Sequence, residues 1–215
     1  MNRRLFSQRD HPITSTRLNW RFFSVVLARS YGRALFPPSK SINGPVSLIG
    51  PAHSDGTIGT VLRIGIISDT HGLLRPQVEQ RLAGVAQIVH AGDIGRPEVI
   101  DGLSRIAPVI AIRGNVDTGD WAKHYRATQI VTLGGRSVYV LHDLRELQLD
   151  PKSCGIDVVV SGHSHRPRVE TIDGVLYLNP GSAGPRRFNL PITLATLELS
   201  AGCCRPDIHH LDEAR

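Results

Sequence analysis

Five short clusters in this 215-residue chain bring together side chains that bind metal ions: Ser68-Asp69-Thr70-His71-Gly72, His90-Ala91-Gly92-Asp93, Arg113-Gly114-Asn115-Val116-Asp117, Leu141-His142-Asp143 and Gly162-His163-Ser164-His165. Between them they offer imidazoles, carboxylates and an amide oxygen, with no thiolate. Such a hard-to-borderline N/O set suits manganese, iron, zinc or nickel better than calcium or a Cys-type structural zinc. Two such ions about 3.5–4 Å apart can polarise a phosphoryl group and share a hydroxide that is nucleophilic near neutral pH. No single cluster establishes this. Asp-x-His arises often by chance, Gly-Asp and Gly-Asn are common turn dipeptides, and Gly-His-Ser-His alone stands level with a solvated loop. Their order, each at the end of an apolar run, is what carries weight.

Those runs define the elements that must hold the clusters. Leu62–Ser68 is a continuous apolar stretch, the pattern of a strand buried on both faces. Pro76–Leu82 has helical spacing, Gln87–Ala91 is a second buried strand, and Pro97–Ser104 opens with proline in a helix's first turn. Val109–Arg113 makes a third strand, so the alternation predicts parallel β-α-β units. Further on, Gln129–Leu133, Ser137–His142, Val158–Ser161, Arg168–Ile172, Val175–Asn179 and Thr193–Ser200 are predicted strands. Tight turns such as Gly134-Gly135 and Asp173-Gly174 join them, and one short helix near residues 144–149 interrupts them. The fold class expected is α/β: a two-sheet mixed β-sandwich flanked by helices, in four layers. In open α/β sheets ligands gather beyond the carboxyl ends of strands, and all five clusters stand there.

In this order the motifs D-x-H, GD, GN, H and GHxH resemble the calcineurin-like metallophosphoesterase superfamily. Their compact spacing resembles its small bacterial and archaeal phosphodiesterases, whose fold the retromer scaffold subunit shares. The resemblance covers Val61 to about Asp212. It implies hydrolysis of a phosphate ester, most simply a phosphodiester, by a hydroxide bridging two divalent ions, with manganese favoured and iron, zinc or nickel also suited. Asp69, His71 and His165 would hold one ion, Asn115, His142 and His163 the other, with Asp93 bridging. Asp93, Asn115 and His142 would serve catalysis directly, and Gly114 and Asn115 would contact the phosphate. Asn179-Pro180-Gly181-Ser182, followed by Arg186 or Arg187, resembles the subgroup's closing loop. Two positions depart from the family pattern. Val116 stands where many members carry a histidine that protonates the leaving group, which implies weak activity on poor leaving groups. Asp143 replaces the usual glycine and is expected to cap the short helix after it. A non-catalytic scaffold on the same fold is the alternative; a scaffold is free to lose ligands, and all seven are present.

Charge sharpens the domain division. The chain carries a net +6, but residues 1–60 hold eight basic and two acidic residues, and the rest hold seventeen of each. A neutral residues 61–215 domain does not support a nucleic-acid groove, so a small-molecule phosphate ester is the expected partner, with homo-oligomerisation left open. No apolar run is long enough to span a bilayer. Residues 1–60, rich in Arg and Ser and broken by proline, form a separate extension unable to offset its ordering entropy. It is expected to lie upstream of the true start, with an organelle transit peptide and a basic surface-binding tail as the other readings. Three cysteines, Cys154, Cys203 and Cys204, make no disulfide framework, which fits a reducing, cytoplasmic setting. Among the remaining candidates, His90 is expected to be a hydrogen-bonded core histidine, and Asp117 either orients a ligand or ends its loop. Cys203-Cys204 is expected to serve packing and His209-His210 to be solvated.

Overall fold

A computed structural model describes residues 61–200 and 202–211; the expectations for residues 1–60 lie outside the described residues. Among the described residues, ten strands form two five-stranded sheets. In the first, β1 (Leu62–Ile67), β2 (Gln87–Ala91) and β3 (Val109–Ile112) run parallel. β9 (Thr193–Ser200) and β10 (Cys203–His210) extend the β1 edge antiparallel. In the second sheet, β5 (Arg136–Leu141), β6 (Val158–Val160) and β8 (Val175–Asn179) are parallel. The antiparallel edge strands β4 (Thr128–Leu133) and β7 (Arg168–Ile172) close it.

The continuous apolar runs follow from burial on both faces. Ile64 and Ile66 of β1, with Val89 and Ala91 of β2, face Val138, Val140, Val158 and Val160 across the sandwich. The opposite face of the same strands, through Ile67 and Ile88, packs on α1 (Pro76–Leu82) and α2 (Pro97–Ser104) via Val78, Leu82, Val99 and Leu103. Both helices start on proline, which fixes φ and gives up an N–H that has no intrahelical acceptor. Beyond the second sheet, Tyr139, Leu141 and Val159 are covered by Leu144, Leu147 and Leu149. That gives the four expected layers, with one modification. The expected helix near residues 144–149 is a single 3-10 turn, Leu144–Glu146, which ends where Leu147 turns extended with its N–H on Leu144 O.

Two elements escaped the sequence reading. Asp120–His124 forms a 3-10 turn after β3. β10 pairs with β9 along its whole length, although it contains Pro206 and alternates poorly; an edge strand tolerates a proline whose missing N–H faces away from the ladder. Within it, Cys204 does pack on the core, while Cys203 is exposed. His210 is exposed, but His209 is half-buried and bonded to Thr196 Oγ1 at 2.8 Å, so only His210 matches the solvated expectation.

Asp117, left ambiguous by sequence, is a clamp between the loops after β2 and β3. Its buried carboxylate accepts the backbone N–H groups of Ile94 (3.0 Å), Gly95 (2.8 Å) and Gly114 (2.8 Å). Removing it orphans three donors, one of them in the cluster that carries Asn115. Asp117→Ala is expected to lower the unfolding free energy by about 2–4 kcal/mol, read from urea denaturation. A loss below about 1 kcal/mol, within the range of ordinary surface substitutions, would remove the clamp.

Candidate metal centre

The seven candidate ligands form one continuous chain of contacts. His165 Nε2 lies 3.2 Å from Asp69 Oδ1 and 3.3 Å from His71 Nε2. His71 Nε2 in turn lies 3.7 Å from Asp93 Oδ2. Asp93 Oδ1 is 3.3 Å from His142 Nε2, and His142 Nε2 is 3.2 Å from Asn115 Oδ1. Asn115 Oδ1 then meets His163 Nδ1 at 3.0 Å. Two groups among these, Asp69/His71/His165 and Asp69/Asp93/His142, are close enough for each to surround one ion. Asp93 reaches both sides through its two oxygens.

The backbone puts them there by continuing the β1–β2 pairing past the ends of both strands. Asp69 N–H donates to Gly92 O, His71 N–H to Asp93 O and Gly72 N–H to Ile94 O, at 3.0, 3.0 and 2.7 Å. Across the sandwich, Gly162 N–H donates to His142 O at 2.9 Å, and His163 N–H reaches Asp69 Oδ2 at 3.1 Å. Asp69, His71, Asp93, His163 and His165 all take positive φ, between 46° and 64°. That region is uncommon for residues other than glycine, and clusters of such residues mark functional sites. Gly92 is required between them: it has φ of 90°, and a Cβ there would stand 2.7 Å from His142 Nδ1.

The closing loop after β8 locks this end. Asn179, buried, donates to Gly162 O (2.6 Å) and Ser164 Oγ (3.2 Å) and accepts from Gly181 N–H (2.9 Å). Ser182 Oγ donates to Asp69 O, and Ala183 N–H to Ser68 O. Gly114, expected to contact phosphate, has its amide committed to Asp117. What Gly114 supplies in the structure is space, since a Cβ would collide with the Asp93 carboxylate. Asp143 caps the 3-10 turn as expected, accepting from Arg145 N–H at 3.0 Å. It also pairs with the Arg145 guanidinium, which holds its carboxyl down at about 2. The same guanidinium donates to His163 Nε2 at 3.0 Å, and Asp143 Oδ2 lies 3.5 Å from that nitrogen.

The residues fit a metal pair. Asp69 Oδ1 and His165 Nδ1 are buried with no hydrogen-bond partner among the described residues, a costly condition for a carboxylate. His142 Nδ1 donates to Ala91 O at 2.7 Å, which turns the Nε2 lone pair toward Asp93 Oδ1 and Asn115 Oδ1. Three acceptors then face one another, and only a proton or a cation can reconcile them. Burial disfavours the His142 imidazolium, yet the Asp93 and Ala91 bonds outweigh it and raise its pKa. Burial likewise works against the charge on Asp93, and the His142 and Val116 N–H bonds reverse it, lowering its pKa. His71 is lowered by burial and next by the positive charge of Arg187, so the closing loop brings a guanidinium near this centre.

Comparison with known proteins agrees with the geometry. The model of the calcineurin-like phosphoesterase superfamily domain matches residues 62–202. A probable metallophosphoesterase of Methanocaldococcus jannaschii is 34% identical over 134 residues, covering 58% of this chain and 70% of the relative. The solved structure of an archaeal phosphodiesterase superposes with a TM-score of 0.59 at 26% identity, over 69% of this chain and 99% of that one. Vps29 of Entamoeba histolytica, solved with zinc, shares the fold alone: TM-score 0.53, 20% identity, 70% and 99% coverage.

His90 braces the centre without lining it. Fully buried, it accepts Gly92 N–H on Nδ1 at 3.2 Å and meets Thr70 Oγ1 through Nε2 at 2.9 Å. The Thr70 hydroxyl goes on to Ile94 O at 3.0 Å. Nδ1 must therefore stay unprotonated, and burial pushes the imidazole down to about 4 from 6.5. The folded pKa lies below the unfolded one, so the unfolded chain takes the proton first. The associated stability is complete above 6.5 and drains as pH falls toward about 4. Between those limits, in chelator, the wild type is expected to lose about 3 kcal/mol more than His90→Gln in urea unfolding. Parallel pH profiles for the two proteins would contradict this reading.

Proposed function

The chain belongs to the calcineurin-like phosphoesterase superfamily, and from that premise we propose that it is a phosphodiesterase acting where its seven donor residues converge. One observation carries the reading: seven residues from five strand ends make an unbroken chain of contacts, with a buried carboxylate oxygen that the described chain leaves without a hydrogen-bond partner. Asp69, His71 and His165 would hold one ion and Asn115, His142 and His163 the other. Asp93 would serve both, as the placement of its two oxygens toward His71 and His142 supports. When bound, the ions supply Lewis-acid polarisation of the phosphoryl oxygens and water acidified to near neutrality, and manganese is the first ion to try.

The chain's own contribution is positioning and proton control. Ala91 O fixes the His142 tautomer, so that its free lone pair faces inward. At His163 the present bond from Arg145 to Nε2 leaves the proton on Nδ1. Freeing Nδ1 as a donor requires the proton on Nε2, where ionised Asp143 is placed to accept it. Val116, 41% exposed, flanks Asn115 and carries no acid. With no acid at this position, the leaving oxygen would take its proton from water or another nearby acid, which favours esters with good leaving groups. The relative described as an archaeal phosphodiesterase supports a diester over a monoester.

A second reading, a scaffold on the same fold, draws on the edge strand β7, whose Val169 and Ile172 are 46% and 44% exposed. The intact ligand set weighs against it. Bis(nitrophenyl) phosphate with added manganese is expected to be hydrolysed, with turnover abolished by chelator and lowered about 100-fold or more in Asp93→Ala and in His163→Ala. Absence of turnover with manganese, iron, zinc or nickel would overturn the catalytic reading; wild-type rates in both variants would overturn the site.

A further inference from the structure

Beside His163 the surface opens into a cavity of about 680 Å³, within the range of about 300–1,000 Å³ usual for small-molecule sites. One wall is the Gly162-His163-Ser164 segment, so the cavity begins where the donor chain ends. This wall is rigid: buried Asn179 holds Gly162 O and Ser164 Oγ, and Gly162 is bonded to His142 O. Leu144 and Pro167 also line the cavity and offer apolar contact to an organic group.

Three guanidiniums line the space, and they differ in their partners. Arg145 is held by Asp143 and Arg168 by Glu170. Arg166 lines the same cavity, and its guanidinium has no acidic partner among the described residues. A cavity that starts at a candidate metal ligand, carries Leu144 and Pro167 in its lining and holds one guanidinium without an acidic partner suits a particular kind of substrate. Its reacting phosphate would sit at the metal centre, its organic body in the cavity and a second anion against Arg166.

We propose that this cavity is the binding site for the organic half of the diester, and that Arg166 selects substrates whose organic half bears a second anionic group, phosphate or carboxylate. Guanidinium is suited to either through paired N–H donors. The proposal rests on the phosphodiesterase reading above and names the substrate class that site would take.

Two measurements on the manganese-loaded full chain test it. The first is the ratio of kcat/KM for a nitrophenyl nucleotide bearing a second, terminal phosphate to that for bis(nitrophenyl) phosphate. Arg166→Ala is expected to lower this ratio about tenfold, through KM, and Arg166→Glu further, while Arg166→Lys restores part of it. The second is calorimetric binding of a nucleoside bisphosphate, which needs no turnover. Its affinity is expected to fall about tenfold in Arg166→Ala. A matching probe with carboxylate in place of the terminal phosphate identifies which anion is preferred. An unchanged ratio together with unchanged bisphosphate affinity in Arg166→Ala would overturn the proposal. So would an equal loss on both diesters. Failure of the phosphodiesterase reading itself looks different, since the wild type would then turn over neither diester.

Discussion

The β1–β2 hydrogen-bond ladder does not stop where the strands stop, and the rest of this end of the molecule depends on that. Three further backbone bonds join the Asp69–Gly72 and Gly92–Ile94 segments. They hold Asp69, His71 and Asp93 in left-handed backbone, a conformation that costs an L-residue about 1–2 kcal/mol. Neighbouring groups fix the same segments: His90 and Thr70 from the sheet side, Asp117 from the loop after β3, and Ser182 from the closing loop. Because several independent bonds specify each backbone position, the strained conformation persists and the donor atoms keep their aim.

That rigidity sets the electrostatics. In a pliable loop, Asp69 would turn its bare oxygen to solvent, and the three acceptors around His142 would separate. Here neither escape is open without breaking the ladder. A divalent cation held between these donors would relieve the unfavourable contacts, and the free energy that holds the acceptors face to face would then reappear as affinity for the ion.

Much of this was legible in the sequence, for physical reasons that also explain what was not. Strands β1, β2 and β3 could be read because burial on both faces demands uninterrupted apolar runs such as Ile64–Ile67. The candidate donors stood out because few side chains bind such ions, and their order at strand ends is improbable by chance. The bonds of the supporting residues could not be read, although Asn179 and Ser182 were marked as part of the closing loop. Ser68, Thr70, Asn179 and Ser182 are the residue types of any turn, and only the folded chain reveals which backbone group each one satisfies. The role of Asp117, orienting a ligand or ending its loop, stayed open because its three partners lie in two loops, Ile94 and Gly95 in one and Gly114 in the other. β10 was missed because its pairing comes from β9 and not from its own pattern.

The clamp formed by Asp117 has an implication for the history of such folds. None of its bonds uses a metal donor: the carboxylate joins one loop to the next through main-chain amides alone. The Asn179 brace is built the same way on its backbone side. Much of the architecture is thus written outside the donor residues, although Asp69 and Asp93 also accept main-chain N–H groups. A descendant could exchange its imidazoles one by one and keep the loops in place, so the scaffold can outlive the reaction it was assembled to perform.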